Sequence, residues 1–129
     1  MDLTANAVVL QWAAGGFSEL RRVSLTGQRS RVLDRGFVQE GLAVEMRSPL
    51  ATPRETLWVR RVSRPCDETT IVSDRAGRLR STLPTPGVVS ALAKDGRALY
   101  AVTVTAAPCL FPTAVTLVRL AQPSFTVAP

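Results

Sequence analysis

Apolar and polar residues alternate along most of this chain with the two-residue period of half-buried strands. Val8, Leu10 and Trp12 share one side of a first strand. A second runs from Phe17 through Leu20 to Leu25 with the basic pair Arg21-Arg22, and a third covers 29–33 with its charges outward. Leu42-Ala43-Val44 opens the next group. A proline-bearing connection from Ser48-Pro49 to Pro53 leads into Thr56–Val62, then Thr69–Val72, a turn at Asp74-Arg75-Ala76-Gly77, and Arg78–Leu83. The last group reads Val88–Leu92, a hairpin turn at Lys94-Asp95-Gly96-Arg97, Ala98–Val104, and Thr113–Leu120. Asp-Gly between two alternating runs is the strongest short hairpin signal, because both central residues need positive φ. Nine prolines and eight glycines punctuate the chain at the spacing of strands and turns.

The groups repeat. Gly41 matches Gly87, Leu57-Trp58-Val59 matches Leu99-Tyr100-Ala101, and Pro65-Cys66 matches Pro108-Cys109. Val23–Gly27 matches Val72–Gly77, and Leu33 matches Leu83, at offsets of 42 to 50 residues. That period is the size of a four-stranded propeller blade. The expectation is an all-β single domain (1–129) of about three four-stranded antiparallel propeller blades at 7–37, 41–83 and 87–127, the terminal ones incomplete. The competing fold is an antiparallel β-sandwich or barrel of the same strands.

Residues 91–104, ALAKDGRALYAVTV, resemble the first hairpin, of the form SPDGRxLYV, of TolB-type and YncE-type bacterial propellers. The resemblance is good over 87–120, fair over 41–83 and weak over 7–37, and Ala93-Lys94 stands where Ser-Pro is usual. It implies a fold and not an activity. Closed propellers have four or more blades. Three would leave apolar faces and edges open, so the chain is expected to be part of a longer propeller or to close against itself or a protein partner.

Composition bounds the functions. At 129 residues, 46% hydrophobic and 20% charged, the chain is long and apolar enough for a folded core. The net charge is +6, carried by fifteen arginines and Lys94 against ten acids. The arginines are scattered rather than clustered, which reads as solvated strand faces, so nucleic-acid binding is not expected. The opening MDLTANAVVLQW lacks a positive segment and a long apolar run, so no signal peptide is expected. Residues 98–118 carry no charge, but their alternating threonines and the prolines 108 and 112 favour a buried hairpin over a membrane span.

There is no histidine, which removes histidine-based triads, histidine metal sites and the usual neutral-pH base. No glycine-rich phosphate loop is present, carboxylates are sparse, and Glu45 is the one that could face a central channel. No catalysis, cofactor or metal is expected. Cys66 and Cys109, at equivalent positions, would form a disulfide if close enough, stabilising by roughly 4 kcal/mol and implying an exported protein. Otherwise they are two packed thiols, and the compartment stays open. Trp58, Tyr100 and Trp12 are the candidate ligand-stacking residues, although a recurring aromatic also serves packing between sheets. The leading function is therefore a non-catalytic interaction or scaffold module completed by a protein partner or by self-association. The alternative is a carbohydrate- or small-ligand-binding module.

Overall fold

A computed structural model of the chain describes residues 7–25, 29–51, 55–63, 67–75, 78–82, 88–105 and 114–121. They form ten strands: β1 (Ala7–Ala14), β2 (Phe17–Ser24), β3 (Ser30–Gln39), β4 (Leu42–Ala51), β5 (Thr56–Ser63), β6 (Asp67–Arg75), β7 (Arg78–Thr82), β8 (Val88–Asp95), β9 (Ala98–Thr105) and β10 (Ala114–Leu120). Each overlaps a stretch whose alternation predicts it. The expected all-β, antiparallel class holds, and neither sheet closes on itself: β1 to β7 form one meander in sequence order, and β8, β9 and β10 form another.

Three stretches differ from the expectation, the first being β3, which runs on to Gln39, past the expected end at Leu33. Ser48-Pro49 lies within β4 rather than in a connection. The register shifts between Arg47 and Leu50, and Ser48 takes a positive φ of 52°. A bulge absorbs the proline, which has no N–H to give the ladder. Asp74 and Arg75 continue β6 rather than forming a turn, because Asp74 pairs with both Thr56 and Leu79 across the sheet. At the β8–β9 hairpin, Asp95 pairs with Ala98, so the two turn residues are Gly96 and Arg97. Only Gly96 has positive φ, the pattern of a turn needing glycine at its first central position.

The long meander bends back on itself between β3 and β4. These strands pair only at Phe37–Gln39 with Leu42–Val44 and then separate, β3 staying with β2 and β4 with β5. Gly36 sits at the divergence. A Cβ there would lie 2.2 Å from the Val44 carbonyl oxygen and 2.4 Å from Ser18 Oγ, so only glycine lets the strands cross this closely. β1–β3 thereby fold over one face of β4–β7. Val9, Leu20 and Leu33 meet Met46, Ala51, Trp58 and Val72 between them. Gln11 Nε2 donates to the Met46 carbonyl 2.5 Å away, tying β1 to β4.

The other face of β4–β7 is covered by the short sheet. Leu57, Val59 and Ile71 pack with Val89, Leu92, Leu99, Ala101 and Leu120. The fold is thus three stacked antiparallel layers, and the middle one is buried on both sides. This explains the run Thr56-Leu57-Trp58-Val59, buried at four successive positions where a strand with one wet face would alternate.

Replacing Gly36 by alanine is expected to destabilise the fold by about 3 kcal/mol, the upper end for overpacking, because the clash is with backbone. A urea denaturation midpoint lowered at constant slope checks it. A midpoint equal to wild type means that the two strands do not cross at Gly36.

Candidate functional site

The middle layer carries polar groups on its buried faces, and several draw a partner from a flanking layer, while Ser73 Oγ donates to Glu55 Oε2 within the layer at 2.7 Å. Thr56 Oγ1 accepts a 2.6 Å hydrogen bond from Arg22 Nη1 of β2. Asp74, its side chain 1% exposed, is gripped in bidentate fashion by Arg31 of β3, with Nη1 to Oδ1 at 3.2 Å and Nη2 to Oδ2. Asp34 of β3 accepts from the Trp58 indole Nε1 at 2.9 Å and from the Arg35 backbone N–H at 2.8 Å. On the opposite face, the Val89 N–H of β8 donates to Thr69 Oγ1 at 2.8 Å. Buried polar groups need such partners, and charged ones need them most.

Beside this seam, between β3 and strands β5–β7, lies a cavity of about 400 Å³ lined by Leu33, Asp34, Trp58, Arg60, Val62, Thr70, Val72 and Leu79. Arg60 reaches it with Nε 3.9 Å from Asp34 Oδ2, too long for a hydrogen bond. That Nε is buried and has no hydrogen-bond partner among the described residues. A second cavity of about 370 Å³ opens at the other end, between the β1–β2 hairpin and β4, with Phe17, Phe37, Glu45 and Arg47 among its walls. Glu45 is ion-paired there with Arg47 at 3.3 Å and Arg61 at 3.4 Å.

The aromatic residues singled out by sequence do not form one site. Trp58 is 1% exposed and faces β1–β3. Leu57 and Leu99 face each other in one cluster, so Trp58 and Tyr100 point away from that interface in opposite directions. The two are not equivalent in surroundings. Trp12 is 50% exposed on the outer face of β1–β3. Its indole N–H donates to Glu19 Oε1 at 3.4 Å, which also accepts from Arg21 Nε at 2.9 Å, while Arg35 Nε lies 3.5 Å from Oε2. Cys66 and Cys109 lie outside the described residues.

Asp34, Arg60, Arg31 and Asp74 were not foreseen as site residues. Their one legible signal is parity: from paired positions, Arg60 and Asp74 share the face that carries Trp58 and Val72, and Asp34 meets that face from β3. Comparison with protein-family models, with curated proteins and with solved structures finds no match for this chain.

Two outcomes follow from the charges. Asp74→Asn should cost about 2 kcal/mol, less than a fully buried pair because the Arg31 side chain is 48% exposed; chemical denaturation measures it. The Glu19 carboxyl is held below its usual 4.5, chiefly by the Arg21 hydrogen bond, with the Arg21 charge and bonds from Trp12 and Arg35 adding to it against the opposing effect of burial. A lowered folded pKa contributes stability that is present above 4.5 and lost as pH falls through the lowered value. Carboxyl-carbon NMR should therefore show Glu19 titrating below 4.5, and Arg21→Gln should move it back upward.

Proposed function

We propose that this chain is a non-catalytic protein–protein interaction module whose β8–β10 sheet packs its outer face against another β-sheet. One observation carries the reading. In antiparallel sheets one face commonly meets the core and the other is polar toward water. The β8–β10 sheet is apolar on both. Its inner face holds Leu99, Ala101 and Leu120 in the core. The strand register puts Val102 opposite Leu117 and Val104 opposite both Val115 and Val88, on the outer face with Tyr100. Val115 is 70% and Leu117 64% exposed. Charge enters this face only at the turn end, at Asp95 and Arg119.

An exposed contiguous apolar surface of this kind marks an interaction site. On the TolB- and YncE-type propeller reading, it is the face that a following four-stranded unit would cover. A second copy of this chain, or a partner domain offering an apolar sheet face, meets the same requirement. The aromatic residues support this reading over a lectin-like one, since Trp58 is buried and Tyr100 and Trp12 lie on separate surfaces.

Light scattering over a wide concentration range tests the proposal. The expected result is concentration-dependent association that Leu117→Glu weakens by about a hundredfold, since a buried unpaired charge and a lost apolar anchor together exceed 2 kcal/mol. Leu117→Glu should leave the unfolding midpoint of the dilute protein unchanged, because the side chain already faces solvent. A wild-type protein that stays monomeric throughout and binds no apolar dye at this face would overturn the reading.

A further inference from the structure

We infer that the cavity between β3 and strands β5–β7 is a binding site for a small zwitterion, an α-amino acid with an apolar side chain. The site is independent of the β8–β10 outer face and lies on the other side of the middle layer. Its walls divide by chemistry. Leu33, Val62 and Val72, with the Trp58 ring, form an apolar floor, and Leu79, 62% exposed, stands among the lining residues as the accessible one. The polar end holds one cation and one anion, Arg60 and Asp34.

Asp34 is fixed with acceptor capacity unused, and Arg60, its side chain 42% exposed, stands beside it without a hydrogen bond. Asp34 is oriented by the Trp58 indole N–H and the Arg35 backbone N–H, one on each oxygen. A carboxylate has about four acceptor positions, so two remain. Arg60 sits 3.9 Å from Asp34 without hydrogen-bonding it, and its enclosed Nε lacks an acceptor among the described residues. Such an orphaned donor is costly unless something accepts from it.

Ligand charge follows from this pair. A simple carboxylate would satisfy Arg60 but set a second anion beside Asp34. A simple amine would satisfy Asp34 but crowd the guanidinium. A group carrying both charges on adjacent atoms satisfies each and leaves the site's net charge unchanged. The guanidinium fork matches a carboxylate in geometry, and Asp34 accepts from the ammonium. The side chain then lies against Val62 and Leu79, over the buried Trp58 and Val72.

Isothermal titration calorimetry on the intact chain tests this with four probes: L-leucine, L-phenylalanine, 4-methylpentanoate (leucine without its ammonium) and 3-methylbutylamine (leucine without its carboxylate). The expected result is that an amino acid binds and that each truncated analogue binds at least about tenfold more weakly, the loss for one buried charge-assisted contact. Arg60→Gln should remove binding. Leu79→Trp, at an exposed position, should block the cavity while leaving the thermal midpoint in place, which guards against a variant that merely unfolds. Equal binding by 4-methylpentanoate and L-leucine would refute the zwitterion, and absence of heat with all four probes would refute the site.

Discussion

Strand β5 has no face to give to water, and the rest of the architecture follows from that. Its successive residues Thr56, Leu57, Trp58 and Val59 are all buried, so a covering layer is required on each side. The long meander supplies one by doubling back at Gly36, and the short meander supplies the other. Two-sided burial also strips water from the polar groups at the centre of the middle layer, Thr56, Thr69 and Asp74 among them. Arg22, Arg31 and Asp34 from one side and the Val89 N–H from the other take its place. The flanking layers are thus held by directional bonds as well as by apolar contact. Charge-assisted bonds of this kind fix register where apolar packing alone tolerates sliding.

Alternation made the strands legible, since a period of two is a local property and the turns between strands are short. What it could not give is which side of a strand meets which neighbour. Arg31 and Arg21 both read as outward charge, yet Arg31 turns in to Asp74 while Arg21 stays outside with Glu19. A bulge between Leu20 and Arg21 in the β2–β3 ladder is responsible, because one extra residue exchanges the two faces. Pro49 misled for the opposite reason: proline normally ends a strand, but within a bulge its missing N–H costs no ladder bond.

The same ambiguity of facing governed the aromatic candidates. Matching Leu57-Trp58-Val59 to Leu99-Tyr100-Ala101 assumes that equivalent residues point the same way. Leu57 and Leu99 instead point at one another, and a shift of one position, setting Trp58 against Leu99, restores a common direction toward the preceding layer. Side-chain periodicity of two means that a one-residue error in matching inverts every inference about exposure. Trp58 therefore belongs to the buried floor of a cavity between layers, and the residues that give that cavity its chemistry, Asp34 and Arg60, come from strands that no sequence spacing connects.

The two ends of the stack differ in how they meet solvent. On the outer face of β1–β3, Glu19 of β2 gathers Trp12 from β1, Arg35 from β3 and Arg21 from its own strand. Such a face is amphipathic and can stand in water. On the outer face of β8–β10, Val102, Val104, Val115 and Leu117 form rows with no polar side chain between them. Uncovered apolar area of that kind is unfavourable by roughly 25 cal/mol per Å², and nothing on its own sheet offsets it. The stack is thus polarised, finished by charge at one end and left with an unmatched hydrophobic surface at the other. Association that follows the hydrophobic demand should therefore add to the β8–β10 end and spare the Trp12 face.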